Sequence, residues 1–275
     1  MKVVADLSAL LDTLPAAVGD WAALDADGTL WAADVAEIVW SAAIRERWML
    51  AEAGPFLAAA VESCGERPHR EPHADAAKLW DLYLADRADD WIVLKAMTAC
   101  YAGYSPDDLL DRAGEVLGDA LPGRTYVTTR PLIEGLRAKG LQVVVVSGSP
   151  TLIVQAALRA IGLEALPPVL GVEVELEGGR LGTTFREPIT WEQGKVDVWR
   201  RHAGAEARLS AAFGDSPGDL ALLRAAEHAR VLVQPRPVLR STASESEGPW
   251  CEFRPGFTND GRAVIPPVSD RIIDL

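Results

Sequence analysis

The sequence predicts an α/β chain: a parallel sheet covered by helices on both faces, with a helical module inserted near its start. Two observations carry this prediction. From about residue 125 to about residue 234, helix-patterned and β-rich segments alternate with short links, the sequence form of a parallel sheet with crossovers on both faces. From about residue 33 to 118 the patterned runs are all helical, and no strand-like run interrupts them.

Residues 4–14 read as a short surface helix, and "WAALDAD" (21–27) as a strand that ends on an acidic pair, although its alanines are poor strand formers. Three helical stretches follow: "ADVAEIVWSAAIRERWMLAEA" (33–53), "ADAAKLWDLYLADRADDWIVLKAMTACYAG" (74–103) and "SPDDLLDRAGEVLG" (105–118). The last opens with Ser105 as a cap and Pro106 at the first helical position. "RPLIEGLRAKG" (130–140) is a helix with a glycine terminator, and "LQVVVVSGSP" (141–150) is β-rich and long enough for a buried parallel strand. "PTLIVQAALRAIG" (150–162) is the next helix; "PPVLGVEVELEGGRLGTTF" (167–185) gives a short strand and a hairpin across Glu177, Gly178 and Gly179. Helix, strand, helix and strand then follow over 191–204, 208–215, 217–229 and 230–234. Beyond residue 235 no order is readable, and the tail "VIPPVSDRIIDL" has enough apolar residues only to dock against the core.

Composition narrows the function classes. With 275 residues, 49% hydrophobic and 24% charged, the chain is globular. Its formal charge of -13 disfavours nonspecific binding to nucleic acid or an anionic membrane, which relies on Lys and Arg. Cys64, Cys100 and Cys251 are odd in number and far apart, as in a reduced compartment. Four histidines, none in a metal-binding motif, leave little for a zinc site; His69 and His73 read as exposed loop residues. There is no signal-peptide pattern and no run of roughly 18–20 apolar residues. A soluble cytoplasmic protein is expected, with no nucleic-acid or membrane partner.

Three strand ends carry polar groups. "LDADGT" (24–29) places Asp25 and Asp27 behind an apolar stretch, an awkward position for two like charges. A solvated Asp-Gly turn is one reading; a bound positive charge, such as a metal ion, is the other. The second strand ends in Ser147-Gly148-Ser149-Pro150, and a later one in Gly214-Asp215-Ser216-Pro217-Gly218-Asp219. In an open parallel sheet the ligand crevice lies at the carboxyl ends of the strands, so these groups converge. Lys195, at the start of a helix, supplies a fixed positive charge. Singly, each has an ordinary reading: Ser147 a helix cap, Lys195 a solvated lysine, Asp215 and Asp219 a cap and a first-turn acid.

The order of the four does not. Asp-x-Asp-Gly-Thr, a serine after an apolar strand, a lysine, then Gly-Asp-Ser-x-x-Asp resembles the haloacid dehalogenase superfamily over roughly residues 20–235. The helical insert directly after the first motif, "VVVSGSP", and "GVEVELEGGRLGTTF" leading to "EQGKVDVWRR" are similar to its phosphoserine-phosphatase-like branch. The resemblance implies a Rossmann-like core over 1–32 and 121–275 and a helical cap over 33–120. It implies that Asp25 is the nucleophile toward phosphorus and that Asp27 protonates the leaving alcohol and then activates water. Ser147 would bind a phosphoryl oxygen, and Lys195 would neutralise the phosphate and orient Asp25. Asp215 would ligate Mg2+ together with Asp25 and the Asp27 carbonyl, and Asp219 would support that shell directly or through water. Gly28 and Thr29 would shape the loop and present backbone donors, and Gly148 would join them in binding the substrate.

The chemistry asks for these residue types independently. Aspartate is an established covalent acceptor of phosphoryl groups. The transferring group spreads negative charge over its oxygens, which calls for cationic donors and a metal more than for a strong base. Magnesium prefers oxygen ligands, and a crowded anionic pocket raises the pKa of a second aspartate enough to make it an acid. A magnesium-dependent phosphatase of a small phosphate ester is therefore expected; a phosphotransferase or phosphomutase using the same intermediate, and a non-catalytic binding protein on the retained fold, are the rivals.

Two departures concern the substrate. Asp34 stands seven residues after Asp27, where the phosphoserine-phosphatase branch places a glutamate that holds the substrate amine. Its carboxylate predicts an amino-containing substrate. Trp31, Trp40, Trp48, Trp80 and Trp91 read first as helix packing; the alternative is that one or two line the substrate mouth, where Trp31 or Trp40 would receive an ammonium head. Arg45, Arg47 and Arg67 are the candidates for binding a substrate carboxylate from the helical insert.

Overall fold

A computed structural model describes residues 1–14, 18–163 and 165–256. Seven strands form one wholly parallel sheet: β1 (Lys2–Val4), β2 (Trp21–Leu24), β3 (Gln142–Pro150), β4 (Val169–Val172), β7 (Leu209–Gly214), β8 (Ala229–Val233) and β9 (Trp250–Phe253). Between β4 and β7 lies the antiparallel hairpin of β5 (Val174–Glu177) and β6 (Arg180–Phe185). The strand order is β1-β9-β8-β7-β2-β3-β4. The chain thus runs from β2 outward through β3 to β4, then returns to the other side of β2 and continues through β7, β8 and β9. That reversal places the crevice of an open α/β sheet at the carboxyl ends of β2, β3 and β7.

The sequence alternates faces with a period of two, as strands require. Ala22, Leu24, Val143 and Val145 belong to one buried cluster, and Trp21, Ala23, Val144 and Val146 to another on the opposite face. The alanines of β2 are explained by this double burial: all four β2 residues are buried, and helices cover both faces, so small apolar side chains fit where propensity alone argues against a strand. The second face is covered by α9 (Gln193–Ala203), α10 (Leu220–Ala225) and α11 (Pro237–Ser244).

The first face carries the insert. Its helices are α2 (Val35–Arg45), α3 (Gly54–Ser63), α4 (Pro72–Leu84), α5 (Asp90–Ala99) and α6 (Pro106–Ala120), with α1 (Leu7–Thr13), α7 (Thr129–Ala138) and α8 (Thr151–Ala160) completing the chain. Trp31, Trp40, Leu57, Leu79 and Leu117 share one continuous buried cluster with Leu24, Val143 and Val145 of the sheet. The hairpin is stitched to the insert. Gly103 N–H donates to the Leu181 carbonyl and Leu181 N–H to that of Tyr104, both at 2.8 Å.

Several expectations are corrected. The stretch over 33–53 stops at Arg45, and Arg47 adopts φ 56. The stretch over 74–103 is two helices: Asp86 has φ 56, and Asp89 accepts from Trp91 N–H to start α5. The sequence reading missed β1, α3, α11 and β9. His73 is buried in α4 rather than exposed: its Nε2 accepts from Met49 N–H at 3.0 Å and its Nδ1 lies 2.6 Å from Glu71 Oε1. The expected docking of 264–275 lies outside the described residues. Among the described residues no helix is long and apolar enough to cross a membrane.

Candidate active site

At the end of β2, Asp25 N–H donates to the Phe213 carbonyl of β7 at 2.9 Å, which fixes the carboxylate at the crevice. Its Oδ1 accepts from Lys195 Nζ at 2.6 Å, and the same ammonium donates to Asp219 Oδ1 at 2.5 Å. Lys195 is only 3% exposed. A tight bend delivers it there: Gly194 N–H donates to the Trp191 carbonyl and Lys195 N–H to that of Glu192. A Cβ added at Gly194 would lie 1.8 Å from the Ile189 carbonyl oxygen.

Asp27 is held differently. Its Oδ1 accepts from Trp31 Nε1–H at 2.8 Å and Val35 N–H at 2.9 Å, and its Oδ2 from the Ser149 hydroxyl at 2.6 Å. Gly28, next in the chain, has φ 76. A Cβ there would lie 2.3 Å from Asp215 Oδ2, so the position demands glycine on two counts. Asp215 is 7% exposed, and its Oδ2 lies 3.6 Å from Arg236 Nε. The carboxylate oxygens of Asp25, Asp215 and Asp219 can all lie within 4.8 Å of one another, and all three residues are buried. That donor set is all oxygen, which suits a hard divalent cation such as magnesium.

Asp219 sits within this cluster in a distinct way. Its Oδ1 takes the Lys195 ammonium, and its Oδ2 accepts from Asp215 N–H, Ser216 N–H and the Ser216 hydroxyl at 3.0–3.1 Å. With both oxygens engaged, it orients Lys195 and the Asp215 turn; Asp25 and Asp215 keep more capacity for a cation.

The electrostatics follow from burial. Burial, with Asp219 and Asp27 adding repulsion against the pull of Lys195, pushes Asp25 up to about 7. Burial first and Asp34 second push Asp27 to about 7, against the hydrogen bonds from Ser149, Trp31 and Val35. Asp215 is raised well above the usual carboxylate range by burial and by Asp219 and Asp25. Burial works against the charge of Lys195, but Asp219 and Asp25 more than offset it and raise its pKa.

These groups open into a cavity of about 400 Å³ lined by Asp25, Asp27, Ser147, Gly148, Lys195 and Asp215 from the core and by Asp34, Glu37, Tyr83 and Asp90 from the insert. Asp34 also caps α2, accepting from Glu37 N–H at 2.9 Å. Glu37 is pushed to about 9 by burial, Asp34 and Asp27.

Other expectations change. Thr29 is 3% exposed, and neither it nor Gly28 lines the cavity. Their N–H groups donate within the loop, Gly28 to Trp31 and Thr29 to Ala26, so they shape the loop without presenting donors. Trp31 and Trp40 are fully buried away from the cavity, Trp31 as an Asp27 donor and Trp40 in the core. The aromatic residues that line it are Tyr83 and Trp191, and the Trp191 ring would lie 3.3 Å from a Cβ at Gly148. Arg45, Arg47 and Arg67 are exposed and do not line the cavity. Its second cation is Arg236, from the segment after β8. Sequence reasoning missed Ser149, Trp191, Glu37 and Arg236. Ser149 and Glu37 had local signals: Ser149 stands two residues after Ser147 on one strand, and Glu37 three residues after Asp34 at the start of a helix.

A family model described as haloacid dehalogenase-like hydrolase matches residues 22–224. Among curated proteins none matches the chain. Among solved structures, one from Bordetella pertussis Tohama I, of unknown function, has a TM-score of 0.62 at 20% identity and covers 86% of this chain and 99% of its own. One from Anaerococcus prevotii DSM 20548, also functionally unknown, has a TM-score of 0.63 at 16% identity, covering 89% and 90%. A phosphoserine phosphatase carrying a phospho-aspartyl intermediate analogue has a TM-score of 0.50 at 15% identity, covering 86% and 94%. At these identities the likeness is one of fold.

Proposed function

The chain belongs to the haloacid dehalogenase-like hydrolases, and from that premise we propose that it hydrolyses a small phosphate monoester through a phosphorylated Asp25. The observation that carries this reading is a buried Lys195 bridging Asp25 and Asp219, with Asp27, held by the Ser149 hydroxyl at 2.6 Å, lining the same cavity.

Lys195 holds Asp25 Oδ1 and turns the carboxylate so that its other oxygen attacks phosphorus. Ser147, 1% exposed at the end of β3, binds a phosphoryl oxygen together with Lys195. As the bond from phosphorus to the leaving oxygen breaks, Asp27 gives that oxygen a proton. The proton resides on Oδ2, because Oδ1 already accepts two N–H groups. A pKa of about 7 leaves Asp27 a usable acid for the first step and a usable base for the second. In the second step it takes a proton from water, whose oxygen attacks phosphorus and releases Asp25 and inorganic phosphate. A magnesium ion held by Asp25, Asp215 and the Asp27 carbonyl would neutralise charge on the phosphoryl oxygens.

The leaving-group side faces Asp34, Glu37 and Asp90, with Trp191 as an apolar wall. Asp34 and Asp90 offer carboxylates to an amino-containing alcohol there, and Glu37, pushed to about 9 in the free site, offers a neutral acid that an arriving ammonium would help to ionise. A magnesium-supplemented screen of small phosphate esters, reading free phosphate, tests the activity. Turnover of amino-alcohol or amino-acid phosphates above neutral sugar phosphates is expected; no turnover across the panel would leave a binding protein on this fold. Phosphate recovered on an added alcohol instead of water would identify a phosphotransferase.

A further inference from the structure

Helix α5 sends four side chains into the catalytic cavity, Asp90, Val93, Leu94 and Met97. Their spacing, i, i+3, i+4 and i+7, is one face of a helix, so they form a single stripe. Exposure falls along it: Asp90 is exposed and Leu94 half-buried, while Val93 and Met97 are 3% and 6% exposed. The stripe therefore runs from a carboxylate at the mouth to an apolar inner wall, and the phosphate chemistry uses neither.

Two close approaches fix where the apolar part lies. A Cβ at Gly148, the residue after Ser147, would lie 3.7 Å from Leu94 Cδ1 and 3.3 Å from the Trp191 ring. A Cβ at Gly218, in the turn after β7, would lie 3.8 Å from the far edge of the same ring. The indole thus lies over the ends of β3 and β7, beside the groups that hold the phosphate, and Leu94 reaches the same place from the insert. Both side chains are half-buried and line the cavity, so an apolar group against them gains burial. Asp90 stands four residues before Leu94, about 6 Å along the helix axis. That is more than the two-carbon link of an ethanolamine spans and is comparable with a five-carbon one. The cations of the cavity are committed to the core, Lys195 to Asp25 and Asp219 and Arg236 to Asp215, so an ammonium at the insert side meets carboxylates.

We propose that Leu94, Trp191 and Asp90 set the substrate class: a phosphate ester whose leaving alcohol carries a hydrocarbon segment or ring, about five carbons long, between the ester oxygen and an amine. The hydrocarbon packs on Leu94 and Trp191, and the ammonium pairs with Asp90, with Asp34 adding its charge. The identity of the occupant rests on the phosphatase reading. The test esters are 2-aminoethyl, 5-aminopentyl and pentyl phosphate; the matching phosphonates, which have no ester to hydrolyse, are titrated into the full chain by calorimetry with magnesium present. For 5-aminopentyl phosphate kcat/KM exceeds that for 2-aminoethyl phosphate by about tenfold or more, since each buried methylene contributes about threefold. It exceeds that for pentyl phosphate by about threefold or more, as a partly exposed ion pair allows. Leu94→Ala lowers the first ratio about threefold or more, and Asp90→Asn brings the second close to one. Each ratio is taken within one preparation, so a partly folded variant does not alter it. A first ratio near one in the parent chain, a first ratio unmoved by Leu94→Ala, or a second unmoved by Asp90→Asn overturns the proposal. If no ester is hydrolysed, calorimetry decides alone: a 5-aminopentyl phosphonate that binds about tenfold tighter than the 2-aminoethyl one supports the specificity site and refutes only the hydrolysis, and equal affinities overturn the site as well.

Discussion

Replacing Lys195 with Met keeps most of its aliphatic stem and removes the ammonium that lies 2.6 Å from Asp25 and 2.5 Å from Asp219. Removing one partner of a buried ion pair costs about 3–5 kcal/mol, because the remaining charge stays desolvated. Here the remaining charge belongs to two carboxylates, so the upper part of that range applies when they are ionised. For a chain of this size each kcal/mol moves the melting point by about 2–4 °C, which gives a fall of roughly 6–20 °C. The loss depends on pH with a definite sign. The folded pKa of Asp25, about 7, lies above the 3.8 of a free aspartate. Its protonation therefore favours the folded state fully below pH about 4, and that contribution is lost as pH rises through 7. Without the ammonium, which opposes the upward shift, Asp25 keeps its proton to still higher pH. At pH 5 both proteins carry a largely neutral Asp25, and the substitution costs less than at pH 8. Thermal melts of both proteins at pH 5 and pH 8, with a chelator present, measure the difference. An equal loss at the two pH values, or a loss below about 1 kcal/mol at pH 8, would refute the argument.

The other expected outcomes concern activity. Asp25→Asn keeps the fold by circular dichroism and lowers kcat by about 10³-fold or more, as loss of a covalent nucleophile does; near-native turnover by the folded variant contradicts the phosphoaspartate route. Chelation stops turnover and magnesium restores it, and Asp215→Ala raises the magnesium requirement at least about tenfold; full activity in protein shown metal-free by elemental analysis contradicts the metal requirement. Ser149→Ala removes a hydrogen bond that holds the Asp27 pKa down, so the alkaline limb of kcat/KM moves upward by roughly 0.5–1 pH unit, and an unmoved or lowered limb shows that another group sets it. Asp34→Asn lowers the ratio of kcat/KM for charged over neutral leaving groups about tenfold; an unchanged ratio removes Asp34 from substrate recognition.

The parts of the fold legible in the sequence are those with a local signal. The valine run of β3 and the helix over 151–160 announce themselves by period and flanking residues. In α2, Val35, Ala36, Val39, Trp40 and Ala43 fall on one buried stripe, so the packing of Trp40 follows from helical spacing alone. The strands β1 and β9 contain three and four residues. Their evidence is non-local, because β9 exists through its pairing with β8 and β1. The site divides the same way. Asp25, Asp27, Ser147, Lys195 and Asp215 sit on strand ends or a helix start, where motif and topology agree. Trp191 and Arg236 reach the cavity from bends whose direction depends on distant packing, Glu192 having φ 47 and Gln234 φ 41. No pattern near either residue encodes that direction.

The pairing of β1 with β9 also sets an order of assembly. Lys2 is the register partner of Cys251, and Val4 of Phe253. On a ribosome adding about 5–20 residues per second, the first strand waits roughly 12–50 s before its partner has been made. The catalytic strands β2, β3 and β7 are all available earlier, and β8 earlier than β9. Among the described strands β1 is made first and stays unpaired longest, so the rim is the last part of the sheet to close.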